Sequence, residues 1–256
     1  MSNKQVKNVF ITGASSGIGR ATARLFAKNG WQVAVNSLAE TEPALQALVE
    51  EFPEGVHLVC PGDYSLEQTI EAAEAQIEQK WCGQLDAVVN VAGMFRQTTV
   101  VDTPLPEWTK IFNVMVLGGM LSTRLGVRFM KPGGKIVHVT SIHCERAERF
   151  ASAYSMAKAA LGQMVRVGAI ELADLGININ AIAPGFIKTE MSIVNGVDET
   201  EGQWFKDNYV EGHHLPLKRP GQPEEVAEVA YFLSGDGANY MTGQTVFVDG
   251  GLSLTF

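Results

Sequence analysis

The stretch that most limits what this chain can become lies near its start. A short apolar run over residues 6–12 gives way at once to Gly13-Ala14-Ser15-Ser16-Gly17-Ile18-Gly19. An amphipathic segment with Ala21, Leu25 and Phe26 follows, and it stops at Asn29-Gly30. Strand, glycine-rich turn and helix, in that order, leave few architectures open. Glycine permits the tight turn and lets the backbone approach a bound group closely. The free N–H groups at a helix start favour an anion, so a pyrophosphate fits there. The spacing is G-x-x-x-G-x-G, not G-x-G-x-x-G. The turn is therefore read as a dinucleotide site built on Gly13, Gly17 and Gly19.

The rest of the chain continues the alternation. Strands are expected over 31–36, 55–60, 85–89, 134–140, 177–183 and 245–248. Helices are expected over 43–52, 66–81, 104–130, 152–175 and 223–233. Strand and helix in alternation predict an α/β fold, a doubly wound parallel sheet of about seven strands flanked by helices. The 256 residues suit one domain of this kind. Residues 186–217 lack the pattern, and an irregular connection of that length is expected to be a substrate lid. Phe186, Trp204, Phe205 and Tyr209 either wall a pocket there or pack a small helix.

Charge and composition exclude several classes. A net charge of −8 argues against nucleic-acid or anionic-membrane partners, which want a basic surface. No apolar run approaches the roughly 18 residues of a membrane span, and residues 1–8 are polar. A cytoplasmic location is expected. Cys60, Cys82 and Cys144 share no ligand spacing and read as free thiols. His213-His214 has no further ligands at metal spacing, so no metal is expected.

The chemistry is expected at a second stretch. Ser141 ends the strand-like run 134–140, and strand ends are where open α/β sheets place their sites. Tyr154 and Lys158 are four residues apart in helix-forming sequence, so they share a helical face. An ammonium beside a phenol favours the phenolate, which makes tyrosine a usable acid/base. The end of the second strand, Asn36-Ser37-Leu38, should face the adenosine ribose. An acid there marks NAD and a nearby arginine marks NADP. Neither is present, and the balance tips to NADP(H), with NAD(H) the alternative. Asp63 either accepts a bond from the adenine amino group or caps the following helix. Small residues in Asn90-Val91-Ala92-Gly93 allow close approach of the cofactor. Asn113 either binds a water that holds a lysine or is a satisfied helix amide.

Taken together these pieces resemble the short-chain dehydrogenase/reductase family, over essentially the whole chain. The motifs are Thr12-Gly13-x-x-x-Gly17-Ile18-Gly19, Asn90-x-Ala92-Gly93, Asn113, Ser141, Tyr154-x-x-x-Lys158 and Pro184-Gly185. The resemblance implies a Rossmann-type domain that moves a hydride between NAD(P) and a carbonyl or secondary-alcohol substrate. It implies Tyr154 as the general acid/base and Lys158 as the group that lowers its pKa and holds the nicotinamide ribose. Ser141 would bond the substrate oxygen, and Asn113 would anchor a water linking Lys158 to solvent. Asn36, Ser37, Asp63, Asn90, Ala92 and Gly93 would line the adenosine side. Pro184, Gly185, Ile187 and Thr189 would clasp the nicotinamide. A homotetramer is the family expectation.

Three departures stand out. Val91 replaces the second residue of the usual N-N-A-G, and Ser37 carries neither specificity group. Ser141-Ile142-His143-Cys144-Glu145 looks like the Ser-x-His-Glu run of bacterial glucose dehydrogenases, with Cys144 inserted. His143, Glu145, Phe95 and Phe186 are candidate substrate contacts. Two other readings stay open: a dinucleotide-binding regulator without turnover, and an epimerase or eliminase that retains its cofactor. The Ser-Tyr-Lys-Asn set argues against the regulator, since a pure binder needs no proton relay.

Overall fold

The first strand shows why a sheet forms with helices on both faces. β1 (Asn8–Thr12) is buried along its whole length. Val9 and Ile11 enter one core and Phe10 enters the other, the alternation expected of a two-residue period. The computed structural model describes residues 6–194 and 196–255. The first five residues of the polar start and the terminal Phe256 lie outside the described residues.

In chain order, α1 (Gly17–Lys28), β2 (Gln32–Ser37), α2 (Glu42–Glu50), β3 (Leu58–Pro61), α3 (Glu67–Trp81) and β4 (Ala87–Asn90) follow β1. Next come α4 (Leu105–Phe112), α5 (Gly118–Phe129), β5 (Lys135–Val139), α6 (Ser152–Glu171) and β6 (Asn178–Pro184). A two-stranded hairpin, β7 (Ile193–Val194) with β8 (Val197–Asp198), precedes α7 (Gln203–Phe205), α8 (Pro223–Leu233), β9 (Thr245–Val248) and α9 (Leu252–Thr255). The main sheet has seven parallel strands in the order β3-β2-β1-β4-β5-β6-β9. Phe26, Leu45 and Val226 bring α1, α2 and α8 onto one face. Ile77, Leu125 and Val165 bring α3, α5 and α6 onto the other. Each such side chain, fully buried, contributes about 1.5–3 kcal/mol.

The strand order reverses between β1 and β4, and this crevice is where such sheets bind ligands. Thr12 lies opposite Asn36 on one side and Asn90 on the other. The carboxyl ends of β1, β2 and β4 therefore converge there.

Two expectations need correction. The helix expected over 104–130 is α4 and α5 joined by a wide π turn at Asn113–Leu117. Such turns carry one extra residue and rotate the succeeding residues around the axis. Residues 186–217 are not irregular throughout. They hold the hairpin and a helical stretch, α7 continued by a π turn at Lys206–Glu211. Phe205, Tyr209 and Leu215 of this segment pack on Ile142 and Leu252. The apolar C-terminal segment divides: Leu252 is buried in that cluster while Leu254 is exposed.

Candidate active site

At the crevice the glycine-rich turn and the turn after β4 are pressed together. Gly13 has φ +67°, and a Cβ on it would stand 2.9 Å from the Ala92 backbone. Gly19 is tighter still, since its Cβ would overlap the Gly13 carbonyl. Ser16 starts α1 without a side-chain capping bond, so no side chain caps the first helical N–H groups. Thr189 reaches over this loop, with its methyl 3.1 Å from where a Gly17 Cβ would be. Arg20 pairs with Glu190 at 3.7 Å. The residues present thus form a cradle that a pyrophosphate fits. Ser15 and Ser37 share a hydroxyl hydrogen bond of 2.8 Å. Asn36 is buried and donates its amide to the carbonyls of Cys60 (2.7 Å) and Gly62 (3.1 Å), bracing β2 to the end of β3. Pro184 and Ile187 are buried below the same edge, and a Gly185 Cβ would stand 2.8 Å from that of Asp249.

Ser141 follows β5, and its hydroxyl accepts a bond from His143 N at 3.3 Å. Tyr154 lies in the first turn of α6, half-buried between Phe95 and His143, with ring centroids at 5.4 and 5.8 Å. Burial pushes its phenol up to about 12, opposed by a hydrogen bond from Ser141. Lys158 is buried, donates to the Val139 carbonyl at 2.8 Å and stands 5.6 Å from the Tyr154 ring centroid. Burial pushes its ammonium down to about 8. In this arrangement desolvation, rather than the lysine charge, dominates the phenol, so the expected lowering of the Tyr154 pKa by Lys158 is not met.

Asn113 does not join the site. Its side chain is exposed on the outer side of the π turn, bordering a cleft of about 500 Å³ with Asp63, Leu105 and Lys110. That cleft contains none of Ser141, Tyr154 and Lys158. The inward residue is Met115, fully buried. A Cβ on Gly93 would stand 3.4 Å from Lys158 Nζ and 3.7 Å from Met115 Sδ. The signal was available: Ile111 and Met115 lie one turn apart on the apolar face, and a residue midway between them points away. Asp63 is not a helix cap either. Its carboxylate accepts from Ser65 N (2.9 Å) and Oγ (2.7 Å), a local turn, and Leu66 stands at the helix start.

His143 pairs with Glu148 at 3.2 Å. Glu148 is thus the carboxylate beside the candidate substrate side of Tyr154, a place expected for Glu145. Phe186 packs against Phe205 and Tyr209 at 5.1 and 4.6 Å. Among the described residues no helix is long and apolar enough to cross a membrane.

A buried polar chain lies behind the site. Val91 N and Ala92 N donate to the Thr12 hydroxyl, each at 3.1 Å, and Thr12 donates to Asn90 Oδ1 at 2.7 Å. Asn90 Nδ2 lies 3.0 Å from His138 Nδ1, and His138 Nε2 lies 3.0 Å from Thr123 Oγ1, which donates to the Gly119 carbonyl at 2.9 Å. Tyr64 holds the Ala92 carbonyl at 3.0 Å. Sequence patterning missed His138 because it sits inside an apolar strand run.

Residues 13–253 match the family model described as "Enoyl-(Acyl carrier protein) reductase". The chain is 37% identical to the glucose 1-dehydrogenase of Gluconobacter oxydans, over 97% of this chain and 92% of that one. It is 36% identical to the 3-oxoacyl-[acyl-carrier-protein] reductase FabG of Thermotoga maritima, over 97% and 98%. The crystal structure of BdcA in complex with NADPH superposes with a TM-score of 0.81 at 26% identity, over 95% of this chain and 93% of that one. The sheet order, the glycine cradle and these relatives agree: the chain belongs to the short-chain dehydrogenase/reductase family, nicotinamide-dependent oxidoreductases of CH–OH and C=O groups.

Proposed function

We propose that this chain moves a hydride between NAD(P) and the carbon of a carbonyl or secondary alcohol, with Tyr154 as general acid and base. The observation that carries the reading is the convergence of Ser141, Tyr154 and Lys158 at the carboxyl edge of β5, one strand from the cradle of Gly13 and Ala92. Bound there, the nicotinamide supplies or accepts the hydride. Gly13, Ser15, Ser16, Gly17, Ile18 and Gly19 hold the pyrophosphate, and Pro184, Gly185, Ile187 and Thr189 close over the nicotinamide side. Tyr154 keeps its proton through the neutral range, which suits the acid of carbonyl reduction. Ser141 orients the substrate oxygen toward it, and the Lys158 charge favours the phenolate once the proton has gone. NADP(H) is the cofactor favoured, because Ser37 offers a hydroxyl where a carboxylate would repel a 2′-phosphate. Residues 186–217 act as the substrate lid.

For the substrate we favour a polyhydroxylated carbonyl compound or its alcohol. The support is the His143–Glu148 pair beside Tyr154, together with the glucose dehydrogenase among the relatives. A homotetramer is the assembly favoured, supported by the exposed Leu105, Met156, Val167 and Ile170 on α4 and α6, and a cytoplasmic location by the expected free thiols.

Fluorescence titration with NADPH and with NADH, followed by turnover assays on sugars, keto-acids and simple cyclic ketones, tests this reading. Tighter binding of NADPH by about tenfold, or about 1.4 kcal/mol, and turnover of a hydroxylated substrate are expected. Binding of neither nucleotide would overturn it.

A further inference from the structure

Among the buried titratable side chains that the proposed chemistry leaves unused is His138 on β5, fully buried. The hydrogen-bond order around it is determined by its ends. Thr12 receives two backbone N–H groups, so its own proton goes to Asn90 Oδ1. Asn90 must then donate through Nδ2, and His138 Nδ1 must accept. The imidazole proton therefore sits on Nε2 and goes to Thr123, whose own proton goes to the Gly119 carbonyl. Burial and the nearby Lys158 charge push the imidazole down to about 3, so it stays neutral and keeps this order.

The chain bears on Lys158 from two sides. The residue after His138, Val139, supplies the carbonyl that takes the ammonium. Asn90 begins the turn whose last residue, Gly93, abuts Nζ. Met115, the inward side chain of the π turn, lies on the same Gly93 surface as Nζ, its sulfur 3.7 Å from where a Gly93 Cβ would be, and a thioether is only a weak acceptor. The titratable groups around the ammonium are His138, Tyr154 on its own helix and Cys144 on the turn after β5.

We infer that His138 is a positioning residue: by accepting from Asn90 through Nδ1 it holds the Asn90–Gly93 turn against Lys158 and so fixes the ammonium beside Tyr154. The inference rests on the reading of Lys158 and Tyr154 as the reacting pair. It separates the two ring nitrogens. The Nδ1 link to Asn90 matters for Lys158, whereas the Nε2 link to Thr123 only anchors the ring.

Asparagine places an acceptor near Nδ1, and glutamine places its amide near Nε2. In His138→Asn the Asn90 link survives, and in His138→Gln it is lost. An NMR titration of isotope-labelled lysine reads the Lys158 midpoint directly, without substrate. The wild type and His138→Asn are expected to titrate alike, near 8. In His138→Gln the loosened turn admits water, and the midpoint rises toward the ordinary lysine value. With a hydroxylated substrate that the wild type turns over, His138→Gln should also lose about tenfold or more in kcat while cofactor affinity changes little, since misplacement by about 1 Å can cost 10²-fold. An unshifted midpoint in His138→Gln, or equal shifts in both variants, would overturn the inference. If His138→Gln fails to fold, Thr123→Val, which cuts the Nε2 link and the Thr123–Gly119 bond but leaves the Nδ1 link intact, must leave the midpoint in place. Thr12→Val, which frees Asn90 Oδ1 and the Val91 and Ala92 N–H groups of the same turn, must raise it. Full turnover in Tyr154→Phe would instead discard the underlying reading, whatever His138 does.

Discussion

Lys158 donates its buried ammonium to the Val139 carbonyl at 2.8 Å, the carbonyl that ends β5. Its pKa of about 8 lies below the 10.5 of an ordinary lysine. Between those values the folded protein binds fewer protons than the unfolded chain, so stability rises with pH across that window. Below it both states carry the charge, and burying it costs about 3 kcal/mol. Lys158→Met removes this slope. Thermal melts from neutral pH to about pH 10 should show the wild type gaining on the variant; parallel curves would contradict the burial argument.

His138 behaves in the opposite window. Its pKa is pushed from 6.5 down to about 3, so its contribution is fully present above 6.5 and fades as pH falls toward 3. Acid unfolding followed by circular dichroism should be less steep in His138→Asn than in the wild type. An unchanged acid limb would mean that the imidazole is not buried neutral.

Asn113, expected to anchor a water near Lys158, is exposed on the outer side of the π turn, whereas Met115 is the buried inward residue. Asn113→Ala removes an exposed amide and should change kcat by less than about threefold, within the range of surface substitutions. Met115→Ala empties a fully buried site and should cost about 2–5 kcal/mol in denaturant unfolding. A large kcat loss in Asn113→Ala would restore the water-relay role.

Two glycines separate strain from contact. Gly30 has φ +81° with nothing within 4 Å of a Cβ, so Gly30→Ala should cost about 1 kcal/mol or slightly more, from backbone strain alone. Gly13 has φ +67° and meets the Ala92 backbone as well. Gly13→Ala should therefore cost more in chemical denaturation and also weaken NADPH binding. Unchanged NADPH affinity would argue against the cradle.

Much of this molecule was legible in the sequence, for reasons that can be named. β1 was readable because its strand-like run gives way at once to the glycine-rich turn, and α8 and β9 lie at Pro223–Leu233 and Thr245–Val248, where the sequence placed them. Tyr154 and Lys158 were legible because helical spacing alone puts them on one face. The π turn was not legible: apolar periodicity continues through it, and no residue in Asn113–Leu117 announces the extra step. Glu148 was hidden because its pairing with His143 depends on how the loop after β5 folds back, which no local pattern encodes. His138 was hidden because a buried histidine in a strand looks like packing until its partners on β4 and α5 are known.

The acid/base assignment of Tyr154 is most directly tested by Tyr154→Phe, which removes one hydroxyl and keeps the ring between Phe95 and His143. Single-turnover oxidation of NADPH with a carbonyl substrate should slow by about 10²–10⁴-fold or more, with NADPH affinity retained. A near-wild-type rate in this variant would contradict the assignment and move the proton to another group.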